Sequence, residues 1–141
     1  MVPIPDTYKI LVVLWFSEPA SRTGTLLVGI SDVTDVLLMS MIGSSIPAPQ
    51  LREIQWESEE MKIDAFAQVR QILVQMYKQC NLVHGDLSEF NLLYHSSTVY
   101  VIDLAQAMDL SHPSSLRFLH RDISIFFIFF VGPHHKIPTW S

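Results

Sequence analysis

Leu82 to Asp103 reads LVHGDLSEFNLLYHSSTVYVID, and this stretch decides what the chain can be. Leu82 to Asn91 is largely polar and contains Gly85, which predicts a loop. Leu92 to His95 and Thr98 to Asp103 then predict two short strands, with Ser96 and Ser97 at the turn between them. The loop carries His84, Asp86 and Asn91 in the spacing H-x-D-x-x-x-x-N, and the hairpin brings the chain back to Asp103. Phosphoryl transfer to a hydroxyl requires these residue types. A carboxylate must orient the hydroxyl and accept its proton, and magnesium needs oxygen ligands, of which protein usually supplies only one or two carboxylates. Asp86 is the candidate base, while Asn91 offers an amide oxygen and Asp103 a carboxylate to the metal. Taken singly, Asp86 and Asp103 read as turn residues, Asn91 as a cap and His84 as a structural histidine. Their joint spacing, with strands where they are needed, points to a kinase-like site.

Upstream lies a long helix. Ser58 is the expected N-cap, with Glu59 and Glu60 in the first turn where the helix dipole favours negative charge. Ile63, Phe66, Val69, Leu73, Met76 and Cys80 recur at three- and four-residue steps and predict one apolar face, over about five or six turns at ~3.6 residues per turn. Further upstream, Tyr8 to Trp15, Thr25 to Ile30 and Val36 to Ile42 predict short buried strands, and Gly43 to Pro49 an irregular connection. Downstream, Pro113 and Ser114 are expected to open a last helix through Leu116, Phe118 and Leu119 into an aromatic tail.

Composition narrows the classes. The 141 residues suit one ordinary domain, and 49% hydrophobic against 16% charged residues argues for a packed core over disorder. A net charge of −5 gives no nucleic-acid signature. The single Cys80 excludes an internal disulfide framework and favours a reducing, intracellular setting. Ile10 to Phe16 reads as a buried strand more readily than as a signal peptide. Ile123 to Val131 is about half the length that a transmembrane helix requires, so no membrane association is expected.

The flanks of the site point to a family. LVHGDLSEFNLLYH, then VYVIDLAQAMDLSHP, then FLHRD resembles the block that marks the RIO family of atypical serine/threonine protein kinases. There the catalytic loop resembles HxDLSEYN, the metal aspartate lies in an ID-x-x-Q segment, and an HP and an RD follow. VLLMSMIGSSIPAPQL, from Val36 to Leu51, is similar to the family's hinge and PAP linker. Ser88 and the segment Asp103-Leu104-Ala105 depart from ordinary protein kinases, which carry a lysine and a DFG at those places.

The resemblance implies an α+β, protein-kinase-like fold that is incomplete: a C-terminal helical lobe with a hinge strand and a catalytic-loop hairpin. It implies ATP and magnesium as cofactors, Asp86 as base, and Asn91 and Asp103 as metal ligands. Met39 would be the gatekeeper beside the adenine, with Ser40, Met41 and Ile42 offering backbone to the base. It further implies a cytoplasmic protein acting on a protein substrate or on the maturing small ribosomal subunit.

Three segments are expected: an atypical one over 1–34, the family core over 35–122, and an atypical apolar tail over 123–141. The five glycines do not cluster into a phosphate-covering loop, and no strand lysine with a partner glutamate precedes the hinge, so the nucleotide-covering lobe is expected to be largely absent. A non-catalytic binding module, and a small-molecule phosphotransferase of the aminoglycoside or choline kinase type, remain alternative readings. His120-Arg121-Asp122 spells the HRD of conventional kinases, but Phe127 stands five residues after Asp122. Arg121 and Asp122 are therefore expected to be a structural pair in the last helix. The His134-His135 pair has no carboxylate or cysteine beside it and is not expected to bind metal.

Overall fold

The fold is seen in a computed structural model that describes residues 32–33, 36–37 and 41–133. The expected strands before Ile30, the hinge residues Met39 and Ser40, and the His134-His135 pair lie outside the described residues. The order of elements is β1 (Asp32–Val33), β2 (Val36–Leu37), a 3-10 turn (Leu51–Glu53), α1 (Glu59–Cys80), β3 (Leu82–Val83), β4 (Leu92–His95), β5 (Thr98–Val101), β6 (Met108–Asp109) and α2 (Ser115–Val131). The strands pair antiparallel as β1 with β2, β3 with β6 and β4 with β5.

α1 begins where its cap chemistry dictates. The Ser58 hydroxyl accepts the Met61 N–H at 3.1 Å, relieving one of the unpaired donors of the first turn. The helix ends at Asn81, whose left-handed backbone (φ 54°) stops the ladder. Its buried residues are Ala65, Val69, Ile72, Leu73 and Met76. The apolar face is thus rotated from the one that the larger side chains suggest: Ile63 is 59% exposed, and the small Ala65 is fully buried. A contact face is chosen by which side meets a partner, and a methyl group admits a closer partner than a bulky chain does.

The β4–β5 hairpin follows its sequence closely. Ser96 (φ 49°) and Ser97 (φ 59°) both sit in the left-handed region, as a two-residue loop matching the twist of its strands requires. Leu92, Tyr94, Val99 and Val101 face the core. The linker runs alongside: Tyr94 donates its backbone N–H to Pro49 at 3.0 Å, and Leu51 is completely buried.

α2 is continuous through Asp122 and Ile123, where the sequence reading divides the chain. Asp122, Phe126 and Phe130 recur at four-residue steps and form its buried stripe, with Ser115 at its start. Phe126 stacks on Phe66 of α1 with ring centroids 4.8 Å apart, and Phe130 meets Phe66 at 5.5 Å and Trp56 at 6.0 Å. Trp56 in turn meets Tyr94 edge-on at 5.9 Å. This aromatic group locks α1, α2, the linker and the hairpin into one core. Among the described residues, no helix is long and apolar enough to cross a membrane.

Candidate active site

β3 leads straight into the loop that carries the candidate catalytic groups. His84 is almost fully buried at 1% exposure. Its Nδ1 accepts the Asp86 backbone N–H at 3.1 Å, which leaves Nε2 to donate to the Ile102 carbonyl at 3.0 Å. The imidazole is therefore a brace between the loop and the strand end, as its organising role in the sequence suggests. Asn91 supplies a second brace: its backbone carbonyl accepts the Ile102 N–H at 3.0 Å. Both polar groups of Ile102 are thus tied to the loop, and the next residue, Asp103, is delivered beside it.

The oxygen donors are set by the same network. The Asn91 side-chain amide donates to the Asp86 carbonyl at 2.9 Å. That bond fixes which end of the amide is nitrogen and leaves Oδ1 as the group to face a cation. Asp103 is exposed and sits at φ 58°, a left-handed conformation uncommon for a residue with a Cβ. Its Oδ1 accepts the Ala105 N–H at 3.4 Å. Strain of this kind, about 1–3 kcal/mol, persists where the surroundings over-determine the backbone. Here the two bonds to Ile102 supply that constraint.

These residues fit magnesium. One carboxylate and one amide oxygen match the small number of protein ligands the ion takes, with water and phosphate oxygens completing its shell. Among the described residues no group of three or more His, Cys, Asp or Glu gathers into a metal cage, which a structural zinc or calcium site would favour. In the segment expected to form the hinge, Met41 is 53% exposed, and the Ile42 carbonyl accepts the Ala48 N–H at 2.7 Å. The linker thus engages that carbonyl itself.

α2 holds the loop from below, with Arg121 and Asp122 both in the last helix as expected. As adjacent helical residues they project in different directions and serve the loop separately. Asp122 is completely buried and accepts two backbone N–H groups, from Gly85 at 2.8 Å and from Leu87 at 3.0 Å. Burial pushes its carboxyl above the usual carboxylate range, and the two N–H donors and the nearby Arg121 oppose that rise without cancelling it. Arg121 reaches outward instead, and its Nη2 lies 3.8 Å from Asp86 Oδ1. The signal for Asp122 is present in the sequence: it is the one charged residue on the Phe126–Phe130 stripe. The reach of Arg121 leaves no such trace.

Gly85 is required where it stands. Its φ is +84°, and a Cβ would come within 2.6 Å of the Gln106 carbonyl oxygen, a backbone atom that cannot rotate away. Gly85→Ala is expected to lower unfolding free energy by at least about 1–2 kcal/mol, the ordinary cost of the left-handed region for a residue with a Cβ. A urea melt checks this, and an unchanged midpoint would mean that the loop relaxes freely.

Comparison with known proteins agrees with this architecture. The RIO domain family model matches residues 30–138. The serine/threonine-protein kinase RIO3 of Caenorhabditis elegans is 49% identical over 112 residues, which cover 75% of this chain and 22% of the relative. The human RIO3 kinase is 47% identical over 88 residues, covering 62% of this chain and 17% of the relative. The chain thus spans about a fifth of the length of these relatives. Among solved structures, the Rio2 kinase complex with ADP, Mg2+ and phosphoaspartate from Chaetomium thermophilum superposes with a TM-score of 0.57 at 22% identity, over 74% of this chain and 32% of that one. The fold is therefore the expected α+β, kinase-like one, represented in part. With a family model spanning both helices, the loop and the hairpin, the chain belongs to the RIO domain family.

Proposed function

We propose that this chain carries the phosphoryl-transfer half of a RIO-type serine/threonine kinase or ATPase, using ATP and magnesium. The observation that supports this most is the double anchoring of Ile102 by His84 and Asn91, which sets Asp103 beside the loop of Asp86 and Asn91. Asp86 would orient a serine or threonine hydroxyl, or water, and accept its proton. Asn91 Oδ1 and the Asp103 carboxylate would hold the cation. Magnesium, when bound, would offset the charge of the phosphate oxygens. Met39, Ser40, Met41 and Ile42 would line the adenine end. That the relatives are named serine/threonine-protein kinases favours a protein hydroxyl over a small metabolite as acceptor. A cytoplasmic setting and a pre-ribosomal small-subunit partner complete the proposal and rest on the family resemblance.

The test is magnesium-dependent ATP turnover by the full chain beside Asp103→Ala. Loss of a metal ligand and its charge is expected to lower turnover by about 10²–10³-fold, on the scale of a lost electrostatic stabiliser of the transition state. Equal, near-zero rates in the two proteins would favour the binding-module reading instead. Turnover confined to a metabolite hydroxyl would favour the small-molecule phosphotransferase.

A further inference from the structure

We infer that Arg121 is a positioning residue of the phosphoryl-transfer site, holding one oxygen of Asp86 so that the other faces the acceptor hydroxyl. The inference rests on the reading of Asp86 as base. Its geometric warrant is independent of that reading.

Asp122 of α2 holds two residues of the loop, and its neighbour Arg121 lies near the side chain of the residue between them. Asp122 takes the N–H groups of Gly85 and Leu87, on either side of Asp86, with both of its carboxylate oxygens. Those bonds are buried, so they set the distance between loop and helix firmly. Arg121, one residue earlier on the helix, is placed by that clamp opposite the one loop side chain between the two gripped amides. Its Nη2 stands 3.8 Å from Asp86 Oδ1. The approach of guanidinium to carboxylate thus follows from a buried contact and is not a chance meeting of two surface chains.

The pair contributes little to stability. Its side chains are 54% and 47% exposed, and ion pairs in such surroundings are screened and nearly neutral in free energy. Its consequence is orientation and charge. The loop from His84 to Asn91 contains Asp86 and Glu89 but no lysine or arginine, and Asp103 adds a third carboxylate nearby. Arg121 adds a protein-borne positive charge to this acidic group, beside the charge that magnesium would bring. A guanidinium presents five N–H donors in a planar fork, so occupying one oxygen of Asp86 leaves other donors free. Backbone bonds already fix the main chain of Asp86, through its N–H to His84 and its carbonyl to Asn91. The remaining freedom is rotation of the carboxylate, which Arg121, with Nη2 3.8 Å from Oδ1, biases electrostatically.

The closing experiment measures kcat and KM for magnesium ATP, with unfolding midpoints, on the full chain, Arg121→Gln and Arg121→Lys. For Arg121→Gln, kcat is expected to fall about ten- to a hundredfold with KM within about twofold, as for loss of an interaction that aligns the reacting group. Arg121→Lys should recover part of that loss, and all three midpoints should coincide. An unchanged kcat in Arg121→Gln overturns the inference, as does a loss in both variants that tracks their midpoints. If the unaltered chain shows no turnover, the proposed function fails, and the pair is then read directly by NMR of the Arg121 guanidinium. Hindered rotation that is released in Asp86→Asn supports the pairing. A freely rotating guanidinium in the unaltered chain overturns it.

Discussion

Asp122→Ala is expected to destabilise the fold by about 2–5 kcal/mol, because two buried N–H donors would lose their acceptor together. Gly85 and Leu87 point these donors into the core, where water cannot replace the carboxylate. A cavity beside Phe126 and the loop would add to the cost. Urea unfolding measures the total, and hydrogen exchange locates it: the amides of Gly85 and Leu87 should lose protection first. Asp122→Asn keeps one acceptor and turns an N–H donor toward the other amide, so it should not restore the parent stability. A parent-like midpoint in the alanine variant would show that the loop is held by other contacts.

Asp86→Asn carries the largest expected effect on chemistry. Removing a general base typically lowers kcat by about 10²–10⁴-fold. The substitution is nearly isosteric, and the two hydrogen bonds that fix this residue use its backbone, not its carboxylate. The unfolding midpoint should therefore stay within the scatter of the parent. That separation distinguishes a chemical role from a structural one, and it contrasts with Asp122, where stability falls first. Turnover that survives Asp86→Asn would move the base elsewhere and withdraw the role assigned to Arg121 with it.

Both predictions depend on how α2 meets the loop, which the sequence only partly discloses. Its last turns read there as an apolar tail set apart from the family core. In the fold they are helix, and Phe126 and Phe130 close the core against Phe66 and Trp56. The division looked natural because Ile123 to Phe130 is almost wholly apolar and gives no polar face to mark its orientation. A helix apolar on most sides states that it is buried without stating against what.

Much of the candidate site was legible from spacing. The loop is polar and glycine-bearing, the hairpin is announced by Ser96 and Ser97 between β-branched and aromatic runs, and the α1 cap is read directly from Ser58. These features are local: each is settled by hydrogen bonds or steric limits within a few residues, so a short window of sequence contains its cause. Even the link from Asn91 to Ile102 follows once the hairpin is granted, since the turn returns the chain to its start.

What only the tertiary structure decided is which distant groups share a contact. Ile63 faces solvent and Ala65 the core because the partner lies on the narrower side of α1, a fact set by the hairpin and α2 together. Asp122 lies 37 residues from Gly85 and 35 from Leu87, and its neighbour Arg121 reaches Asp86 across a similar separation. Periodicity shows which stripe of a helix is buried, but it carries no information about what the stripe is buried against. The sequence by itself determined the chemical groups of the site and their order along the chain. The packing of α2 beneath the loop decided what Asp122, expected only to be structural, holds in place, because burial leaves a carboxylate no partner but the amides it meets.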